Sequence, residues 1–309
     1  GQNTALGVRA GLLMATGSAN VFIGKDAGDS ASACSNVIAI GHNAMHTVTD
    51  STAVDGTIAI GESALDALTS GAKNVAIGYK AGESYNGSNS VIIGYEAGLD
   101  VDGGSGDSTL IGMEAGKHLD DGTFNTAIGV EAMKSTGTSN TAIRNTCIGW
   151  RAGDLIRTGS DNVVIGHGAE VSATDAVNQI SIGKEAQGVE NNSVTLGNSS
   201  VAKLYIAPGN TSGQTIIFKD GDAEAGYIQY DHGDDQLKLA VNQRIHSRFY
   251  TNGNMQMENT GVSTTSDFTG ASFNFAKTGG ATSSANTFKG VFGKINFNDA
   301  DEEFGNLVG

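Results

Sequence analysis

A few residues in this chain have types and spacings that would support metal chemistry. His42 and His46 stand four residues apart, a spacing that on a helix would turn both imidazoles toward one metal ion. The residues around them have the pattern of strand and loop, so we expect two surface histidines. The stretch Asp231–Asp235 (DHGDD) would offer carboxylates to Ca²⁺, but Gly233 at its centre favours a tight hairpin. The sequence therefore predicts no metal site and no cofactor.

Acidic residues are the other source of chemistry, because a glycosidase needs two carboxyl groups at a defined separation. The chain has 33 Asp and Glu residues, so many pairs can be drawn and none is singled out. No nucleophile–base set stands out either. We therefore expect a protein that is not an enzyme, with a polysaccharide hydrolase as the remaining catalytic alternative.

Large side chains recur directly after a repeated glycine, as Tyr79, Tyr95, Met113, Val130 and Trp150. Trp150 is the only tryptophan of the chain. If the fold aligns these positions, the aromatic rings form a column that is available to stack on sugar rings. The alternative is that the column packs against a neighbouring chain or a returning loop. The candidate glycan-binding residues are Tyr79, Tyr95 and Trp150.

The glycines before these side chains belong to a repeat that runs from residue 3 to residue 201. Units such as NVAIGYKAG (74–82) and NTCIGWRAG (145–153) align on one glycine. The residue before that glycine is Ile in ten units and Leu in two, and Ala stands three residues after it in eleven. The twelve anchors, spaced 14 to 20 residues apart, are Gly7, Gly24, Gly41, Gly61, Gly78, Gly94, Gly112, Gly129, Gly149, Gly166, Gly183 and Gly197.

Each unit has the chemistry of one turn of a solenoid. Before the glycine, β-branched residues alternate with other residues, which is the period-two pattern of a strand with one buried face. The glycine allows a sharp corner, and the nearly fixed Ala marks a crowded site. We expect a strand, a corner, a second short strand and a polar return loop in each unit. The chain is thus predicted to be all-β, with a parallel β-roll of about twelve coils, an Ile ladder inside and an Ala ladder opposite.

On this interpretation, the residue between the two buried strand positions points out of the roll. It is apolar or Cys in ten of the twelve units. A long apolar strip on a surface marks an interface, and its regularity favours other copies of the chain as the cover over a separate loop or domain. The predicted interface consists of Ala39, Ala59, Ala76, Ile92, Leu110, Ala127, Cys147 and Val164.

Two of the steps between anchors are 20 residues long, and both predict a local insertion. In NTAIRNTCIG (140–149) a short phrase is repeated, and taking Gly149 as the anchor keeps Gly166 in step. Arg144 stands where the first copy would need the corner glycine, which it cannot replace cheaply. We therefore expect residues 134–145, and residues 46–56 at the other long step, to bulge from the roll.

The two cysteines, Cys34 and Cys147, test the roll. They lie beside anchors six units apart, which corresponds to about 29 Å along the stack at ~4.8 Å a coil. A disulfide needs Cα atoms within about 7 Å. We expect no bond between them.

Composition excludes several classes of partner. A net charge of −15 argues against nucleic acid, which is bound by clustered Lys and Arg. The sequence has no run of 18 apolar residues, so no membrane insertion is expected. The 45 glycines with a single proline, Pro208, are typical of many turns and unlike collagen. Because the chain begins inside a repeat, we expect it to be an interior piece of a longer protein.

The repeat units resemble two families of extracellular fibres. Coils such as SVIIGYEAG (90–98) are similar to repeats of bacteriophage tail fibres and to the heads of trimeric autotransporter adhesins. The resemblance implies a left-handed roll and a homotrimer, with the eight interface residues on the threefold axis. The segment AGYIQYDHGDDQLKLAVNQRIHSRFYTNGNMQM (225–257) more loosely resembles the C-terminal part of phage tail fibres, which implies β-prism-like or intertwined strands.

The resemblance also implies a domain organisation and a function. The expected domains are a β-roll at 1–201, a shaft domain at 202–260 and a further β domain at 261–309 that continues beyond the chain. We expect an extracellular structural tail fibre of a phage virion that binds host bacterial surface glycan during adsorption. Its partners would be itself, other virion tail proteins and host polysaccharide or lipopolysaccharide. The alternatives are a bacterial adhesin head and, third, a surface polysaccharide hydrolase.

Overall fold

The computed structural model describes residues 1–48, 53–101, 106–135 and 140–201, and beyond them residues 214–220, 223–231, 234, 236–241, 244–250 and 255–257. The chain divides into two units, Gly1–Tyr205 and Ile206–Gly309. All regular secondary structure in the described residues is β-strand. These residues include no helix with the length and hydrophobicity needed to span a bilayer.

The first unit is a parallel β-solenoid of twelve strands, as the repeat predicts. Its strands pair in sequence order and in register, so that Ala76 lies beside Ile92 and Ile92 beside Leu110. The strands are β1 Thr4–Leu6, β2 Val21–Ile23, β3 Ile38–Ile40, β4 Ile58–Ile60, β5 Val75–Ile77, β6 Val91–Ile93, β7 Thr109–Ile111, β8 Thr126–Ile128, β9 Thr146–Ile148, β10 Val163–Ile165, β11 Ile180–Ile182 and β12 Val194–Leu196.

The prediction of a second short strand in each coil is wrong. After the corner glycine the chain forms consecutive turns, in which the N–H of Ala81 donates to the carbonyl of Gly78 at 3.3 Å. Lys80, between them, has a φ of 53°, which reverses the chain instead of extending it. The Ala ladder is confirmed, since the Ala three residues after the glycine is fully buried, for example Ala81 and Ala115.

The predicted orientation of the strands is also wrong. In β2–β11 the middle residue is buried and the two flanking residues are partly exposed. The reason is the limited volume of the interior, because the gap between the sheet and the Ala ladder accepts only one side chain per strand. If the strands were turned over, each would have to place two β-branched side chains in that gap. The eight residues assigned to an interface between copies are 0–1% exposed and form the core of a single chain: Ala39, Ala59, Ala76, Ile92, Leu110, Ala127, Cys147 and Val164.

A buried ladder of asparagines sets the register of several coils. The Nδ2 group of Asn145 donates to Asn125 Oδ1 at 3.2 Å and to the carbonyl of Gly159 at 2.9 Å. Its Oδ1 atom accepts hydrogen bonds from the backbone N–H of Asn162 at 3.0 Å and from the Asn162 side chain at 2.9 Å. These contacts give a reason for the Asn that begins many units, which the repeat pattern alone did not explain.

The repeated phrase at 140–149 keeps the predicted register, but its first copy does not bulge. Thr146–Ile148 forms β9 and Gly149 is the corner. Ala142 is fully buried, and Ile143 bridges Thr123 and Ser160 in neighbouring coils, so residues 140–145 belong to the roll. At the other long step Val48 and Val54 are buried as well. Residues 136–139 and 49–52, where the rest of the two expected bulges falls, lie outside the described residues.

The second unit contains a five-stranded antiparallel meander. Its strands, in sheet order, are β13 Gln214–Asp220, β14 Ala223–Asp231, β15 Gln236–Val241, β16 Arg244–Tyr250 and β17 Met255–Met257. Asp231, at the end of β14, pairs with Gln236, at the start of the antiparallel β15. The tight turn expected at Gly233 lies outside the described residues. Lys238 forms an ion pair with Asp231. The domain expected at 261–309 lies outside the described residues.

Candidate functional site

The outer face of the parallel sheet is a continuous apolar surface in the described part of the first unit. It is formed by the first and third residues of β2–β11, of which seventeen are Val or Ile and three are Thr. Ile77 and Ile182 are 37% and 38% exposed. Ten strands at ~4.8 Å spacing give this outer aliphatic face a length of roughly 43 Å. A continuous apolar surface of this extent marks a binding interface.

The residues directly after the corner glycines form a column beside that face. Tyr79 and Tyr95 stack with ring centroids 5.2 Å apart and planes 14° from parallel. Trp150 packs against His167 of the next coil at 4.5 Å, and the Arg151 guanidinium lies 5.3 Å from its ring centroid. The structure thus brings Tyr79 and Tyr95 together and keeps Trp150 apart, three coils further on. One face of each Tyr ring is occupied by its neighbour, which limits stacking on a sugar to what remains exposed.

An ion-pair ladder follows the corner on the next side of the coil. Lys117 Nζ lies 2.5 Å from Glu96 and 2.8 Å from Glu114, in adjacent coils. Lys134 Nζ lies 2.5 Å from Glu114. The hydrogen bond from Lys117 lowers the pKa of both carboxyl groups, and Lys134 adds to the effect at Glu114. The ladder continues through Arg151, which lies 3.5 Å from Glu131.

The ladder ends between the ninth and tenth coils, beside a shallow cavity of about 230 Å³ that is open to solvent. It is lined by Trp150, Arg151, Asp154, Gly168 and Glu170. Arg151 pairs with Asp154 of its own coil at 2.6 Å. Glu170 accepts hydrogen bonds from the backbone N–H group of Asp154 at 2.9 Å and from that of Leu155 at 3.4 Å. Burial, together with the neighbouring Asp154 carboxyl group, raises the pKa of Glu170 to about 8.

No protein-family model, curated protein sequence or solved structure matches this chain significantly.

Of the residues that line the cavity, only Trp150 is a candidate site residue from the sequence alone. The signal for the others was a deviation from the repeat. Gly168 stands two residues after its corner glycine, where the other eleven units carry a side chain such as Arg151 or Glu185. Glu170 stands where six units have a second glycine, including Gly153.

The two histidines singled out by their spacing do not form a common site. His42 Nδ1 lies 3.7 Å from Glu62, whereas His46 Nδ1 lies 3.3 Å from Asp66 and its Nε2 lies 3.7 Å from Asp29. Across the described residues, no group of three or more His, Cys, Asp or Glu side chains is placed to hold a metal ion.

Both cysteines are free and buried. Cys34 lies inside the roll at the edge of the asparagine ladder, with its Sγ atom 3.9 Å from Asn20 Oδ1. Cys147 occupies the buried middle position of β9. Burial raises the pKa of Cys34 to about 11 and the pKa of Cys147 well above its ordinary value.

Proposed function

We propose that this chain is a structural segment of a phage tail fibre, which assembles as a homotrimer of left-handed rolls and binds host bacterial surface glycan. The observation that carries the proposal is the outer aliphatic face, because a strip of Val and Ile of this length is unfavourable in water. Identical rolls are the natural cover, since each has the same strand spacing and the same face. The interface therefore lies on the flanking strand residues and not on the buried middle ones.

The trimer would be a stiff rod. Within each chain every coil pairs in register with the next, so stability accumulates from neighbour to neighbour along the stack. Joining three chains removes the outer faces from water. The charged turns remain outside, which suits a chain of net charge −15 that must stay soluble at a threefold larger charge.

The mechanism is binding and not catalysis. Three copies present each surface turn three times around the rod, so weak contacts to a repeating glycan add through effective concentration. In this proposal the meander of β13–β17 belongs to a trimeric, β-prism-like shaft, and other virion tail proteins attach the fibre to an extracellular particle.

Two measurements test the proposal. Light scattering of the purified full chain should give three times 31.5 kDa, or about 95 kDa. The trimer should bind host bacterial cells and compete with phage adsorption, and extracted surface polysaccharide should relieve that competition. A stable monomer at micromolar concentration would contradict the assembly, and a trimer that binds neither cells nor polysaccharide would contradict the adsorption role.

A further inference from the structure

We propose that the cavity lined by Trp150, Arg151, Asp154, Gly168 and Glu170 binds one amino-sugar unit through its free ammonium group. The inference rests on the proposed glycan-binding function and names a subsite and a ligand class for it. The repeat pattern does not predict a cavity at this place, so its cause lies in the residues that deviate from the repeat.

The cavity exists because one side chain is missing. Gly168 has a φ of 61°, and the residues at the same position in ten other coils have φ between 50° and 60° although they carry side chains. A Cβ atom on Gly168 would meet only Glu185 Cγ, at an ordinary 3.6 Å. The backbone and the packing would therefore both accept a larger residue here. The glycine leaves open a space that the other coils fill.

The ladder itself shows which group fits between carboxyl groups of adjacent coils. Lys117 Nζ occupies such a position, 2.5 Å from Glu96 and 2.8 Å from Glu114. At the cavity, Asp154 and Glu170 again come from adjacent coils, and their side chains are hydrogen-bonded to each other. Arg151 pairs with Asp154 at 2.6 Å and interacts with Glu170 through its charge, but no ion pair to Glu170 is formed among the described residues. An ammonium group supplied by a ligand would complete the pattern.

The rest of the lining favours a sugar as the carrier of that ammonium group. Arg151 offers N–H donors to ring hydroxyl groups, and the part-exposed Trp150 ring offers an apolar edge. About 230 Å³ lies below the range of ~300–1,000 Å³ that is usual for drug-sized ligands, so the space suits a single sugar ring. A divalent cation fits poorly, because Ca²⁺ takes about six to eight oxygen ligands and Arg151 already pairs with Asp154.

The charge state of Glu170 agrees with this ligand. Burial and the hydrogen-bonded Asp154 carboxyl group raise the pKa of Glu170, which favours its neutral form in the free protein. A bound ammonium group favours the ionised form and is held by it. An N-acetyl group carries no charge and adds bulk, so acetylated sugars should be rejected.

The experiment uses the full chain and its only tryptophan, Trp150, as the reporter. Glucosamine should change the Trp150 fluorescence saturably, with a Kd in the millimolar range. Glucose and N-acetylglucosamine should bind at least roughly tenfold more weakly. Ethanolamine separates recognition of the sugar ring from recognition of any ammonium group, and equal binding of ethanolamine and glucosamine would overturn the sugar assignment.

Two variants localise the effect. Gly168→Asn fills the cavity with a residue that the same position already holds at Asn43, and Glu170→Gln removes the charge while keeping an acceptor. Both should weaken glucosamine binding at least roughly tenfold, whereas Lys80→Asn, at the same position five coils away, should leave it unchanged. An absent glucosamine response in the native chain, or an unchanged one in Gly168→Asn with native circular dichroism, rejects the cavity as the site. Cell adsorption by the native trimer would persist in that case, so the proposed function is tested separately.

Discussion

Gly149 and Gly166 occupy the same corner of adjacent coils so closely that a Cβ atom on Gly149 would lie 2.4 Å from the carbonyl oxygen of Gly166. The φ of Gly149 is 135°, a conformation that side chains rarely adopt. The corner of the repeat therefore requires glycine for two reasons. The backbone has a φ that side chains rarely adopt, and the adjacent coil leaves no space for a Cβ atom.

Replacing a corner glycine should therefore be far more costly than replacing another glycine with positive φ. Gly149→Ala should lower stability by at least ~2 kcal/mol, because the side chain adds strain and a clash with backbone. Gly168→Ala is the matched control, and it should stay within about 1 kcal/mol of the native chain. Thermal unfolding at one protein concentration measures both. Equal midpoints for the two variants would show that the close approach does not govern the corner.

Two neighbouring residues of β8 separate the core from the proposed interface. Ala127 is fully buried inside the chain and Ile128 lies on the outer aliphatic face. Ala127→Glu should disrupt the coil, since a buried unpaired charge costs several kcal/mol. Ile128→Glu should instead give a folded chain with native circular dichroism and the mass of a monomer by light scattering. A trimer formed by Ile128→Glu would place the interface elsewhere.

The thiol of Cys147 tests the same distinction chemically. Because Cys147 is buried within its own chain and its pKa is raised, iodoacetamide at pH 8 should not modify it in the native protein. It should remain unmodified in the monomeric Ile128→Glu variant and react only after denaturation. Mass spectrometry of the tryptic peptide gives the readout. Rapid modification in the folded monomer would mean that contacts between copies, and not the roll, protect the thiol.

The sequence predicted the period of this fold much better than its orientation. The Ile–Gly anchor gave twelve coils, the in-register parallel sheet and the β9 register at Gly149. It could not show which strand face is internal, because Ala127 and its apolar equivalents alternate with other apolar residues on both faces. The decision depends on side-chain volume, since the narrow interior accepts the middle residue and leaves Ile128 outside. The periodicity of a sequence shows which side chains are apolar, but it does not show which face has room for their volume.

The buried asparagines and the cavity escaped prediction for different reasons. An Asn such as Asn145 is usually read as a turn residue, and its role appears only when the neighbouring coil is stacked on it. The cavity depends on Gly168, which is one of 45 glycines and becomes informative only when its position in the coil is compared with all the others. Both features arise from stacking between coils, which a linear pattern does not display.

Substitution of Asn145 should show how much the ladder contributes. Asn145→Ala leaves the backbone N–H of Asn162 without its present partner, and an unsatisfied buried group costs about 1–3 kcal/mol. The carbonyl of Gly159 loses one of its two donors and keeps the N–H of Ile143 at 3.2 Å. Asn145→Ser should cost less, because Ser108 Oγ accepts the backbone N–H of the next coil, from Asn125, at 3.2 Å. Chemical denaturation compares the two variants. If they were equally stable, the buried hydrogen bonds would have no part in holding the register.

Glu170 makes stability depend on pH in a direction opposite to that of the ion-pair ladder. Its pKa in the folded chain, about 8, lies above its ordinary value of 4.5, so the folded state retains a proton that the unfolded state releases. The contribution of Glu170 to stability is therefore fully present below about pH 4.5 and is lost as the pH rises through about 8. The ladder carboxyl groups Glu96 and Glu114 have lowered pKa values, so their contribution is lost as the pH falls.

A comparison of the native chain with Glu170→Gln isolates the first effect, because the ladder is common to both. Gln keeps an acceptor for the Asp154 N–H group and, like the protonated carboxyl, carries no charge. The two proteins should unfold at similar temperatures near pH 4.5, and the variant should be the more stable one at pH 9. The difference in midpoint between them should grow across the interval from about pH 5 to about pH 8. A constant difference over that interval would mean that Glu170 ionises in the folded chain as it does in water, and that the carboxyl group is not confined beside Asp154.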